Sequence, residues 1–190
     1  FHEALNFAGV FDAPAVFFCN NNQWAISTPV ERQTRSETMA QKATAYGFEG
    51  VQVDGMDPLA VYQVTREAIE TAKDPGKGEL RPTLIEAKLY RLSAHNTTDD
   101  PSNYRDEVPE GWEEKNPLPR FESFLRETGR LDDDRHEEIE TDVEAAVDEA
   151  IDAALSIEEP STDEIFDFVF ETPTDRQREQ RESISRLVAE

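Results

Sequence analysis

An apolar run from Ala13 to Cys19 breaks without transition into three asparagines, Asn20, Asn21 and Asn22. A run of this length bounded by polar turn-formers reads as a buried strand. In a parallel α/β sheet, ligands collect just beyond the carboxyl ends of the strands, which is where the three asparagines are expected. An amide oxygen is a neutral, hard donor that suits Mg²⁺, a cation that often also carries a substrate phosphate. Taken alone, the same residues also make an ordinary turn, because asparagine tolerates the left-handed region and bonds its own backbone.

The rest of the chain supports a sheet of this kind. Phe1 to Phe11 reads as a helix with Ala4, Leu5, Ala8 and Phe11 on one face, ended by Asp12 and Pro14. Ser36 to Tyr46 is expected as a short helix, with Ser36 its cap and Gly47 its terminator. Val51 to Val53 forms a short strand closed by Asp54-Gly55. Asp57-Pro58 then opens a helix, a capping Asp before a first-turn Pro, which runs to about Ala72. Thr83 to Ala87 is the third strand. Alternating strands and helices specify an α/β fold, a parallel sheet with flanking helices.

Ser93 to Pro109 has no period and is expected as a long loop, of a length that is usually functional or disordered. Beyond it the pattern turns helical: Leu118 to Glu127, then Asp132 to Ile157 with Ile139, Val143, Val147, Ile151 and Leu155 every four residues, and Asp175 to Val188. Ile165 to Phe170 is expected to be extended. We read residues 1–110 as the α/β domain and 111–190 as a helical extension packed on that core or on a partner.

Charge narrows the partners. The 190 residues carry 42 acidic and 19 basic side chains, a net charge of −23. Such a surface repels nucleic acid and anionic membranes, so neither is expected as a partner. The acidic residues are interleaved with apolar periodicity, which fits a solvated surface for high salt better than a disordered tail. A halophilic, haloarchaeal source is the expectation. The single cysteine, Cys19, rules out an internal disulfide framework and asks for no oxidising compartment, so a cytoplasmic location is expected.

Phe17 to Thr28, FFCNNNQWAIST, resembles the closing half of the thiamine diphosphate motif in the alpha subunit of the decarboxylating first component of 2-oxo acid dehydrogenase complexes. The resemblance extends through VQVDGMDPLAVY, Val51 to Tyr62, and PTLIEAKLYRLSAHNTTDDPSNYR, Pro82 to Arg105. That family's motif opens with Gly-Asp-Gly, which would fall before Phe1, so an N-terminally truncated chain is the expectation. The resemblance implies the thiamine diphosphate-binding fold and the cofactors thiamine diphosphate and Mg²⁺. It also implies a beta subunit in an α₂β₂ heterotetramer, and acyl transfer from a 2-oxo acid to the lipoyl domain of an acyltransferase. The protein's own share is metal, orientation and electrostatics.

Residue by residue, the resemblance makes the Asn22 side-chain oxygen and the Trp24 backbone carbonyl the metal ligands. A Tyr is common where Trp24 stands, and a carbonyl ligand tolerates the change. Ile26 lies close to the aminopyrimidine ring. His95 matches the active-site histidine, and histidine is the side chain that titrates near neutral pH. Arg91 and His95 join the cofactor-binding set, and Asp99, Tyr104 and Arg105 order the loop through charge-assisted bonds. Asn96 follows the histidine where mitochondrial relatives carry a phosphorylatable Ser, so that control is absent at this position.

Pyruvate and branched-chain 2-oxo acid enzymes both fit these segments. An acetoin dehydrogenase alpha subunit is an alternative with nearly the same site. A non-catalytic assembly subunit, retaining the fold without the chemistry, is the alternative of another class.

Overall fold

The computed structural model describes residues 1–188 of the chain. Contacts divide it into two compact units, Phe1–Leu131 and the residues from Asp132 onward. The helix expected near Leu118 to Glu127 belongs to the first unit.

The first unit is an α/β layer. Helix α1 (His2–Phe11) leads into β1 (Val16–Asn21), and a small hairpin follows, β2 (Trp24–Ala25) and β3 (Thr28–Pro29). Then come β4 (Glu49–Asp54), α2 (Pro58–Lys73) and β5 (Thr83–Lys88). Strands β1, β5 and β4 form a parallel sheet in that order, with Val16 and Glu49 both opposite Thr83, and Asn21 and Asp54 both opposite Lys88. The last of these strands in sequence is therefore the middle one. That explains its burial: Thr83 to Ala87 are all buried, with Leu84 and Ile85 almost without exposure. Among the described residues β1 has only one neighbouring strand and is half-buried, with Phe18 exposed. The expectation of a buried strand from Ala13 to Cys19 is corrected: among the described residues the strand is half-buried, and it starts and ends later. Asn20 and Asn21 are its last residues, and only Asn22 lies beyond it.

The core joins Leu5 of α1, Ala43, Phe48 and Leu84, with Phe17, Cys19 and Tyr46 packed against it. Leu5 and Ala8 point inward as expected, whereas Ala4 and Phe11 are exposed. Burial pushes the Cys19 thiol pKa up, reinforced by the Glu86 charge. The segment read as a helix from Ser36 is irregular up to a 3-10 helix, Ala40–Tyr46, ended by Gly47 at φ 84°. Two glycines let this helix lie against its neighbours: a Cβ on Gly50 would fall 2.0 Å from the Ala40 carbonyl oxygen, and one on Gly9 2.2 Å from that of Tyr46.

Helix α2 begins as the sequence dictates. Asp57 caps it by accepting from the Leu59 and Ala60 amides at 2.9 and 3.2 Å. Helix α3 (Pro117–Glu127) is fastened to the same end of the sheet. Arg120 reaches Asp54 at 3.1 Å and Asp57 at 3.0 Å.

The second unit contains α4 (Asp133–Leu155), α5 (Glu164–Asp167) and α6 (Asp175–Val188). Asp132 caps α4 through the Arg135 amide. The run expected to be extended from Ile165 is instead a single helical turn with Phe166 buried. Arg181 of α6 holds it, bonding to the Asp163 carbonyl oxygen and to the Asp167 carboxylate. Among the described residues, no helix is long and apolar enough to cross a membrane.

Candidate functional site

Asn22 leaves the carboxyl end of β1 and turns the chain back on itself. Its side-chain oxygen accepts the Trp24 amide at 3.0 Å, and its own amide bonds the Asn20 carbonyl at 3.1 Å. Gln23, between them, has φ 69°, a left-handed conformation uncommon outside glycine and asparagine. The β2–β3 hairpin follows, and its two-residue loop starts at Ile26. Ile26 has φ 55°, an outlier for a β-branched residue. Its side chain is exposed.

The segment after β5 is tied to this turn twice over. The Arg91 amide donates to the Asn22 carbonyl at 3.3 Å, and its Nη2 donates to the Ile26 carbonyl at 2.8 Å. The same Nη2 also reaches the Tyr104 hydroxyl at 2.6 Å. That hydroxyl donates to Asp99 Oδ2 at 2.6 Å, and the same carboxylate oxygen accepts the His95 amide at 2.7 Å. Arg91 and Asp99 are paired at 4.0 Å, their side chains only 10% and 11% exposed. Arg105 closes the segment by donating to the carbonyls of Arg91, Leu92 and Ser93 at 2.6 to 3.1 Å. Trp24 and Tyr104 pack with ring centroids 5.4 Å apart and their planes tilted by 53°. The loop expected from Ser93 to Pro109 is thus ordered by charge-assisted bonds, with a 3-10 turn at Pro101–Asn103.

The electrostatics follow from these contacts. The bond from Tyr104, then that from the His95 amide, then the Arg91 charge hold the Asp99 carboxyl below its ordinary pKa. Burial, reinforced by the bond to Asp99, raises the pKa of the Tyr104 phenol. His95 itself is exposed, and its imidazole takes no hydrogen bond among the described residues.

Two observations bear on a bound anion or metal. Arg91 Nε and Nη1 are buried donors with no protein acceptor, and Trp24 Nε1 is another. Buried donors of this kind are costly unless something accepts from them, and a phosphate oxygen suits a guanidinium. Asn22 Oδ1 accepts one hydrogen bond, and an amide oxygen has two lone pairs, so one remains for a cation. Among the described residues no cluster of three carboxylate, imidazole or thiolate groups could hold a metal by itself.

The structure thus brings Asn22, Trp24, Ile26, Arg91, Asp99, Tyr104 and Arg105 into one connected network, with His95 joined through its backbone. Sequence reasoning passed over Glu86, a fully buried carboxylate beside this network. The signal was present: one acidic residue inside the otherwise apolar strand run Thr83-Leu84-Ile85-Glu86-Ala87.

Known proteins bear on this arrangement. A model of the family described as dehydrogenase E1 component matches residues 1–163. The chain is similar to the 3-methyl-2-oxobutanoate dehydrogenase subunit alpha of Mycobacterium tuberculosis, at 42% identity over 189 residues, 99% of this chain and 50% of that protein. It is similar to the pyruvate dehydrogenase E1 component subunit alpha of Staphylococcus aureus, at 44% over 185 residues, 96% of this chain and 49% of that one. The Bacillus subtilis protein of the same description is 54% identical over 131 residues, 68% of this chain and 34% of that protein. The chain therefore spans about half the length, or less, of the curated relatives it matches.

Proposed function

The chain belongs to the dehydrogenase E1 component family, and from that premise we propose that it acts as the alpha subunit of a thiamine diphosphate-dependent 2-oxo acid dehydrogenase. The substrate is pyruvate or a branched-chain 2-oxo acid, the two named for its relatives. The working assembly is an α₂β₂ heterotetramer with a beta subunit, which passes its acyl group to the lipoyl domain of an acyltransferase. We place the protein in a halophile on its charge of −23, and in the cytoplasm on its single cysteine.

The observation that carries this reading is the double tie between the Asn22 turn and the Arg91 loop. One arginine bonds the turn through its backbone and the hairpin through its side chain, and still has two buried donors unspent. Thiamine diphosphate, when bound, supplies the electron sink that decarboxylation of a 2-oxo acid needs. Asn22 Oδ1 and the Trp24 carbonyl are the residues that would hold Mg²⁺ against the diphosphate. Mg²⁺ held through two neutral oxygens would take its other ligands from phosphate, carboxylate or water oxygens. Arg91 offers its free donors to an anionic group. Ile26 presents an exposed apolar surface from a turn held by Arg91. To His95, on the loop that Asp99 and Tyr104 order, we assign the proton exchange at the acyl acceptor.

The experiment uses the full-length gene product coexpressed with its beta subunit. Oxidative decarboxylation is followed in high KCl with Mg²⁺, thiamine diphosphate and an artificial electron acceptor. Pyruvate, 2-oxobutyrate, 3-methyl-2-oxobutanoate and acetoin are compared. Turnover of a 2-oxo acid, lost in Asn22→Ala, is expected. Turnover of acetoin alone would redirect the substrate class. A folded assembly that binds no thiamine diphosphate would make this an assembly subunit.

A further inference from the structure

Glu86 is 1% exposed, in the middle of the central strand, and every hydrogen bond it makes requires it to accept. Oε2 takes the Met39 and Ala40 amides at 2.7 and 3.0 Å, and Oε1 takes Asn21 Nδ2 at 2.6 Å. A carboxylate, with acceptors on both oxygens, satisfies all three donors at once, whereas a neutral amide cannot.

The bond to Asn21 has a consequence at the turn. It fixes which way the Asn21 amide faces, so Oδ1 points at Gln23. There it accepts the Gln23 backbone amide at 3.3 Å and Nε2 at 3.1 Å. Gln23 Nε2 also bonds the Asn21 carbonyl at 3.1 Å, and the Gln23 carbonyl accepts from Val30 at 2.9 Å. Gln23 is the residue held at φ 69°, and its two neighbours are Asn22 and Trp24. We infer that Glu86 is a positioning residue for the metal-binding turn, acting through Asn21 and Gln23 on Asn22 and Trp24. The inference rests on the reading of Asn22 and Trp24 as metal ligands. Groups one shell out from a metal commonly govern its affinity by about 10–100-fold.

Glu86 also ties the Met39–Ala40 turn to the sheet, and a purely structural role would stop there. The two roles separate by exchanging amide and acid. In Glu86→Gln, the new amide keeps its oxygen toward Met39 and Ala40 and turns its NH₂ onto the Asn21 NH₂. Two donors then face each other, and the Asn21 amide is driven to flip away from Gln23. Asn21→Asp alone sets two carboxylates face to face and loses the same link. Combined with Glu86→Gln, it supplies one oxygen to accept the new NH₂ and keeps the other for Gln23. The double variant restores the relay with acid and amide swapped and the net charge unchanged.

The probe is Mn²⁺, titrated by electron paramagnetic resonance in the presence of thiamine diphosphate, on the complex of the full-length protein with its beta subunit. Wild type is expected to bind Mn²⁺. E86Q and N21D are each expected to weaken it by about tenfold or more, and the double variant to recover to within about threefold. Circular dichroism checks folding, and if E86Q alone fails to fold, N21D against the double variant makes the same comparison. Binding in E86Q and N21D as tight as in wild type would overturn the inference and leave the metal site standing. Weak binding in E86Q without recovery in the double variant would also overturn it, reducing Glu86 to a fastening of the Met39 turn. Wild type that binds no Mn²⁺ would remove the metal reading and the inference together.

Discussion

Asp99 accepts from two sides at once, the Tyr104 hydroxyl and the His95 amide, on a single carboxylate oxygen. Its pKa lies below the ordinary 3.8, so the folded loop prefers the ionised form. Stability gained in this way is complete above the unfolded pKa and is lost as pH falls through the lower, folded one. Tyr104 has the opposite sign. Its phenol is raised above 10.0, so its contribution is complete below that value and lost as pH rises through the folded pKa. Both contributions are therefore present across the neutral range, the one from Asp99 fading in acid and the one from Tyr104 in base. Tyr104→Phe removes the largest cause of the Asp99 shift and leaves the ring packed against Trp24. Protection of the His95 amide from hydrogen exchange at pH 7 is expected to fall roughly tenfold, the scale of one lost hydrogen bond. The acid transition of that amide should move to higher pH than in wild type. Unchanged protection would mean that Arg105, through its bonds to the Arg91, Leu92 and Ser93 carbonyls, orders the loop without help from Tyr104.

Among the elements, α2 was the most legible, because its start is local chemistry. Asp57 before Pro58 supplies the acceptor for the first free amides and a backbone angle already set for the helix. The structure adds that Asp57 Oδ2 also pairs with Arg120, joining α2 to α3. Asp57→Ala loses cap and pair together and is expected to cost about 1–2 kcal/mol in denaturant unfolding. Asp57→Asn keeps an acceptor for the cap, and its cost should stay below about 1 kcal/mol. Equal losses would show the ion pair, not the cap, to be the larger part. The central strand was legible for a similar reason, a short run that is apolar but for Glu86 and is bounded by breakers. The segment after Ser36 was not, because its amides are satisfied by Glu86, 46 residues from Ala40 in the chain. No local pattern announces an acceptor supplied by a distant strand. The apolar run from Ile165 misled in another way: a short run carries no reliable period, and Arg181 of α6 decides for a helical turn. At the site, the turn at Asn22 and the loop residues were found by their resemblance to a family. Composition alone would have left Asn22 a turn residue, and Glu86 and Gln23 only a strand residue and a loop residue.

Over the whole molecule the charge of −23 is a cost at low salt, and α4 shows where it falls. The helix Asp133–Leu155 holds ten acidic residues and a single arginine, Arg135. Six pairs of like charge stand four residues apart: Asp133–Glu137, Asp134–Glu138, Glu138–Asp142, Glu140–Glu144, Glu144–Asp148 and Asp148–Asp152. At about 0.2–0.5 kcal/mol each, they sum to roughly 1–3 kcal/mol of repulsion in one helix. Their side chains start about 5–6 Å apart, inside the Debye length of about 10 Å at 0.1 M salt and outside the roughly 3 Å of 1 M. Raising KCl should therefore relieve most of the repulsion. For a chain of this size that corresponds to a thermal midpoint higher by about 2–12 °C. Salt also strengthens apolar burial, so a rise alone does not assign the effect to charge. Glu144→Lys does, because residue 144 is exposed and sits between Glu140 and Asp148. It turns two repulsions into two attractions, one in the favoured order with Glu on the N-terminal side. The variant should melt higher than wild type at 0.1 M KCl and converge with it above 1 M. A salt response with the same slope in both proteins would place the effect in apolar burial and leave the acidic surface with no part in it.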